Sequence, residues 1–188
     1  MIDFSAEQAL RDHKVKGEFF YGWARALLGE VPKGLAEMEA ALAAQQAIGT
    51  TEDFPVYYDM LAEVLGMLGR FEEALPAIDR AFEAAQSSGL AYWNPELHRR
   101  RAELLWRRAG APADEARASL GAAFELARAQ NARALELRAA MTALHMAAGG
   151  TEAQTARAAL RQVHERFSEG FGEADLEEAG RLLGAPPP

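Results

Sequence analysis

Apolar residues recur at steps of three and four along most of the chain. The clearest stretch is Tyr57 to Gln86, YYDMLAEVLGMLGRFEEALPAIDRAFEAAQ. Tyr58, Leu61, Ala62 and Leu65 share one face, Gly69 and Arg70 interrupt it, and Phe71, Ala74, Ile78, Ala81 and Phe82 resume it. A stripe of that spacing predicts an amphipathic helix, so the stretch reads as two helices joined by a tight glycine turn. Small residues at Ala62, Ala74 and Ala81 let the two helices approach closely. Nowhere do β-branched and aromatic residues alternate with the period of two that a half-buried strand needs.

The same pattern returns at a fixed offset. Gly22 and Ala62, Gly29 and Gly69, Gly34 and Ala74, Met38 and Ile78, and Gly49 and Gly89 all lie 40 residues apart. The next copy keeps that step in its first helix (Ala62 to Ala102, Leu65 to Leu105), then gains two residues in the turn GAPAD. Ala74 therefore maps to Ala116, Ile78 to Leu120 and Phe82 to Phe124. The last copy returns to 40, with Leu97 matching Leu137, Leu104 matching Leu144 and Leu120 matching Leu160.

These offsets predict four hairpins at about 17–49, 55–89, 94–131 and 134–168. The large and small positions match the tetratricopeptide signature, with a period longer than its usual ~34 residues. The expectation is an all-α protein, a single domain over 1–188, built as a right-handed α-solenoid of tetratricopeptide-like hairpins. Ser5 and Gln8 stand at capping-box spacing and predict a short leading helix over Ser5 to His13, ended by Gly17. Pro55 and Pro95 sit where first helices begin, and Pro76 is expected in the first turn of its own helix. Asp175 to Leu183 predicts one more helix, whose Leu176, Ala179, Leu182 and Leu183 would cover the edge of the last hairpin.

Composition narrows the function classes. The chain has 188 residues, 49% of them hydrophobic, which favours a packed core over disorder. It contains no cysteine, so disulfides, thiolate nucleophiles and Cys-ligated zinc are excluded. No apolar run reaches the roughly 20 residues that cross a bilayer, and the N-terminus lacks the apolar segment of a secretory signal. The expected location is the cytoplasm, with no membrane partner. A net charge of −8 argues against nonspecific nucleic-acid binding. The Arg99–Arg101 run spreads around the helix without an interleaved aromatic platform, so no nucleic-acid partner is expected.

Several short motifs carry a resemblance. They are Gly22-Trp23-Ala24, Glu96-Leu97-His98-Arg99 with Glu103-Leu104-Leu105, Leu135-Glu136-Leu137-Arg138-Ala139-Ala140, and Phe167-Ser168-Glu169-Gly170-Phe171 with Asp175-Leu176 and Glu178-Ala179. Together they resemble the C-terminal tetratricopeptide region of large bacterial signalling proteins. Those proteins join a class III adenylate/guanylate cyclase, or a transcription-regulator domain, to a predicted ATPase. The resemblance covers about residues 17 to 183 and implies a regulatory or scaffolding module. It implies no cyclase activity, and no GxxxxGK[ST] phosphate loop is present.

In tetratricopeptide arrays the first helix of each hairpin lines a concave groove. Projected onto this sequence, that groove takes Phe19 and Trp23 from the first hairpin, Asp59, Glu63 and Met67 from the second, Arg99, Glu103, Trp106 and Arg107 from the third, and Met146 from the fourth. Trp23, Met67, Trp106 and Met146 would form an apolar seam, with Arg99 and Arg107 anchoring a carboxylate of a bound peptide. Alternatively the tryptophans pack between helices, and the arginines pair internally: Glu96/Arg100 and Glu103/Arg107 stand at i,i+4 spacing.

No enzyme constellation accompanies these residues. His13, His98, His145 and His164 are not paired at metal-ligand spacing, so no metal or other cofactor is expected. The carboxylate pairs Glu72-Glu73 and Glu177-Glu178 lie near helix starts, where the dipole favours negative charge. The expected role is a non-catalytic module that binds a protein or peptide. The alternatives are self-association into a homo-oligomer and a small-ligand sensor.

Overall fold

The computed structural model describes residues 2–109 and 114–184. All regular structure among them is helical. The inserted turn at 110–113, the tail at 185–188 and the side chains of Ser5 and Gln8 lie outside what is described. None of the described helices is long and apolar enough to cross a membrane. The chain falls into two compact units, Met1–Trp93 and Asn94–Pro188.

The first unit contains α1 (Ile2–Leu27), α2 (Val31–Ile48), α3 (Phe54–Met67), α4 (Phe71–Ser88) and a short 3-10 turn, Ala91–Trp93. Helix α1 packs on α2 and α3 on α4, while α1 and α3 also touch. The second unit contains α5 (Asn94–Ala109), α6 (Asp114–Ala129), α7 (Arg133–Met146), α8 (Gly150–His164) and α9 (Ala174–Leu183). Here α5 packs on α6, α7 on α8, and the first helices α5 and α7 touch. Helix α9 contacts both α7 and α8, as the first helix of a further hairpin would.

The 40-residue offset is written in the backbone dihedrals. Gly29 and Gly69 close the turns after the first helices of hairpins one and two with φ of 100° and 71°, and in hairpin four Gly149, the residue that precedes α8, has φ of 108°. Glycine reaches that left-handed region at no steric cost. Beyond the first two of these glycines the backbone closes the same loop: Glu30 N–H bonds to Arg25 C=O at 3.2 Å, and Arg70 N–H to Leu65 C=O at 3.0 Å. Second helices end alike. Gly49 and Gly89 have φ of 87° and 70°, and Asn131, two residues past the 40-step, has φ of 54°. Asn131 is the non-glycine residue that adopts this conformation among the described residues. Asparagine tolerates it better than other L-residues.

Gly22 and Gly34 bring α1 and α2 into backbone contact. A β-carbon on Gly34 would lie 2.4 Å from the Gly22 carbonyl oxygen. The counterparts Ala62, Ala74, Ala102 and Ala116 are fully buried small residues. Small side chains at these crossings set the close helix spacing of the first three hairpins. In the fourth hairpin the first-helix position is Thr142.

Two expectations are corrected. The leading helix does not stop at Gly17; α1 runs from Ile2 to Leu27, so the first hairpin starts well before residue 17. A single helical glycine costs about 1 kcal/mol in propensity, and burial of Val15 and Phe19 on either side of Gly17 outweighs it. Pro76 lies inside α4 rather than in its first turn. The final helix, expected over 175–183, is α9. Its Leu176 and Ala179 join Leu137, Ala140, Met141, Leu160 and Val163 in one cluster, with Leu182 and Leu183 at the margin.

Candidate functional site

In the first unit the candidate residues fall on α1 and α3. Phe19 belongs to the core: it is buried and stacks on Tyr57, ring centroids 4.3 Å apart. One turn on, the Trp23 indole N–H donates to Glu63 Oε2 at 2.9 Å. These two side chains occupy adjacent first helices one repeat apart, and both stay half-exposed. Asp59 is buried and accepts the Trp93 indole N–H at 3.1 Å. Met67, at the end of α3, is 41% exposed.

A polar cluster next to this face was not legible in the sequence. Lys16 Nζ lies 3.3 Å from Asp12 and 2.8 Å from Asp53. The Asp53 carboxylate chiefly raises the Lys16 pKa, against the effect of burial. Asp12 in turn accepts from Thr50 Oγ1 at 2.7 Å and from Gln45 Nε2 at 2.5 Å. Those hydrogen bonds hold its carboxyl below its ordinary value. The Tyr57 hydroxyl is buried without a hydrogen-bond partner, and burial pushes it up to about 12.

In the second unit the arginine run becomes a buried ion network. Arg99 grips Glu96 with two hydrogen bonds, 3.0 and 2.8 Å, and reaches Glu103 at 3.0 Å and Thr142 Oγ1 at 3.1 Å. Arg100 bonds Glu103 at 3.3 Å. The expected i,i+4 contacts both form, Glu96/Arg100 at 4.0 Å and Glu103/Arg107 at 3.6 Å. Arg138 on α7 extends the chain of charges, 3.7 Å from Glu96 and 2.6 Å from Asp175 on α9.

Burial pushes the Glu96 carboxyl up, and the guanidinia of Arg99, Arg100 and Arg138 together carry it below the ordinary glutamate value. Glu103 is lowered by the same balance of burial against Arg100, Arg99 and Arg107. A buried carboxylate in this position is tolerated only when paired and hydrogen-bonded. The network therefore fixes α5, α7 and α9 to one another. Arg99 spends its donors inside it, while Arg107, paired with Glu103, keeps about a third of its side chain exposed (34%). A second buried carboxylate, Glu136, is held by Arg128 at 2.8 Å and Arg166 at 2.7 Å.

Trp106 is half-buried on α5, and Met146 is buried at the end of α7. The structure thus brings together Trp23 with Glu63, Asp59 with Trp93, and Arg99 with Glu103. It sends Phe19 into the core and Met146 towards α6 and α8. Trp93 was missed because its WNP context reads as a linker. His98 is half-buried, and burial followed by the nearby Arg101 lowers its pKa. Among the described residues no three His, Asp or Glu side chains are placed to hold a metal ion.

No protein-family model matches the chain. No solved structure matches it. Among curated proteins, an uncharacterized protein of Rhizobium meliloti (strain 1021) is 35% identical over 139 residues, 74% of this chain. That segment is 13% of the relative, so the chain spans only a small part of the length of the curated protein it matches.

Proposed function

We propose that the chain is a non-catalytic, tetratricopeptide-like interaction module that binds a protein or peptide segment. On this reading the four hairpins stack as a right-handed solenoid, in the cytoplasm, as a regulatory region of the kind joined to cyclases and ATPases in bacterial signalling proteins. The observation that carries it is the tie between Trp23 and Glu63. Equivalent positions of successive first helices meet on one face, as the groove of a stacked array requires. A half-exposed indole beside a carboxylate, with Met67 one turn away, supplies an amphipathic surface of the type that anchors a peptide. The match to a small part of a much longer relative is consistent with a module of a larger protein.

A photo-crosslinking residue in place of Met67 tests the assignment. The expected result is an adduct with one defined polypeptide, absent when the residue replaces Glu39 on α2. Trp23→Ala should reduce that adduct several-fold. Equal labelling from both positions would exclude the α1–α3 face.

One feature favours a second reading, self-association. Leu27, Leu28, Met67 and Leu68 are exposed at the turns of the first two hairpins, and Leu28 is 87% exposed. Sedimentation over a concentration series decides it: association that Leu28→Glu abolishes supports self-pairing, and a monomer throughout removes it.

A further inference from the structure

The fourth hairpin is built more loosely than the others, and the looseness has a shape. Helix α7 stops at Met146, and Ala147 leaves it in extended conformation (φ −67°, ψ 129°). Gly149 and Gly150 follow with φ of 108° and 57°, whereas the corresponding turns of hairpins one and two each use a single left-handed glycine. Three residues, Ala147, Ala148 and Gly149, thus separate the end of α7 from the start of α8. The small-residue crossing is also relaxed. Ala74 and Ala116 are fully buried, but their counterpart Ala156 is 9% exposed.

The result is a pocket of about 410 Å³ between α6, α7 and α8. Its walls are Leu120 and Phe124 from α6, Met146 from α7 and the alanines Ala156 and Ala159 from α8. Engineered cavities of about 150 Å³ hold a benzene ring, and small-molecule sites begin near 300 Å³. The pocket therefore has room for a chain of several methylenes. Polar groups stand at its rim, at the first turns of α6 and α8. Glu152 faces the turn, where its Oε2 accepts the Ala148 N–H at 3.1 Å. The Thr155 hydroxyl donates to the Thr151 carbonyl at 3.0 Å. Arg117 lies 3.3 Å from Asp114, a fully exposed carboxylate. Exposed pairs of this kind are weak, so the guanidinium can exchange Asp114 for a carboxylate brought by a ligand and hold it with two parallel hydrogen bonds.

We propose that this pocket binds a medium-chain alkyl carboxylate, its tail against Leu120, Phe124 and Met146 and its head group on Arg117. The pocket belongs to the second unit and the Trp23–Glu63 face to the first, and the test of the pocket does not depend on the interaction reading. The probes are hexanoate, octanoate, decanoate and 1-octanol, titrated into the full chain carrying ¹³C-methyl methionine. The Met146 methyl resonance should shift saturably with octanoate while that of Met67 stays in place. Affinity should rise about fourfold per added methylene until the pocket is full. Arg117→Gln should weaken octanoate about tenfold and leave 1-octanol unchanged, and Ala159→Phe, which fills the cavity, should abolish both. The proposal is overturned if Met146 does not respond, if affinity is independent of chain length, or if 1-octanol binds as well as octanoate. It is overturned equally if an Ala159→Phe protein of wild-type helical content still binds.

Discussion

Gly34 has no room for a β-carbon. The built atom meets the Gly22 carbonyl oxygen at 2.4 Å and the Ala26 nitrogen at 2.7 Å, and these are backbone atoms that cannot rotate aside. Gly34→Ala gains the ~1 kcal/mol of helix propensity that alanine holds over glycine, but it must force α1 and α2 apart. Overpacking of this kind costs about 1–3 kcal/mol, so the net prediction is destabilisation, read as a lower urea midpoint. At Asn131 the balance is reversed. Its φ of 54° strains any residue with a β-carbon, and glycine relieves it. Asn131→Gly should be neutral or slightly stabilising, and Asn131→Ala should cost about 1 kcal/mol. If the two variants melt together, the left-handed position does not end this hairpin as Gly49 and Gly89 end theirs.

At the scale of elements, the charge network holds three helices through few side chains. Glu96→Gln leaves Arg99 buried with a neutral partner, and breaking such a pair costs about 3–5 kcal/mol. The pH dependence has a definite sign. Glu96 and Glu103 both titrate below the ordinary glutamate value of 4.5 in the folded state. Their contribution is complete above pH 4.5 and is lost as pH falls through the lowered values. Urea midpoints of the second unit should therefore fall steeply on acidification below that point. Glu96→Gln should be less stable at pH 7 and show a shallower acid limb. A limb as steep as that of the wild type would remove Glu96 from the account.

Hairpin boundaries were legible because Gly29, Gly69, Gly49 and Gly89 punctuate the chain at one interval, and left-handed turns demand that residue type. Asn131 serves the same purpose without the same letter, so it stayed hidden. Gly17 misled, because propensity marks it as a stop while burial of its neighbours carries α1 through it. Spacing rules pointed to Glu96/Arg100 and Glu103/Arg107. They missed that Arg99 stands three residues after one glutamate and four before the other, and so clasps both. The Asp12–Gln45–Thr50 cluster joins residues more than thirty positions apart, beyond the reach of any local pattern.

At the scale of the molecule, each unit is a run of hairpins that bury their apolar faces on neighbours. In the second unit α9 closes that run, and Arg138 fastens it through Asp175. Arg138→Ala should loosen α9 selectively. Hydrogen exchange should then speed up in 174–183 before it does in α5 and α6, and uniform acceleration would mean that the contact serves the whole unit instead. The tryptophans make the two units separately visible to light. Trp23 and Trp93 lie in the first unit, each with its indole N–H on a carboxylate, and Trp106 lies in the second. A chain keeping only Trp106 glows from one half, and a chain keeping only the other pair glows from the other half. With Glu96→Gln added, the emission of the Trp106 chain should change at lower urea while that of its counterpart holds, so the chain carries its own two-colour gauge of which half has let go.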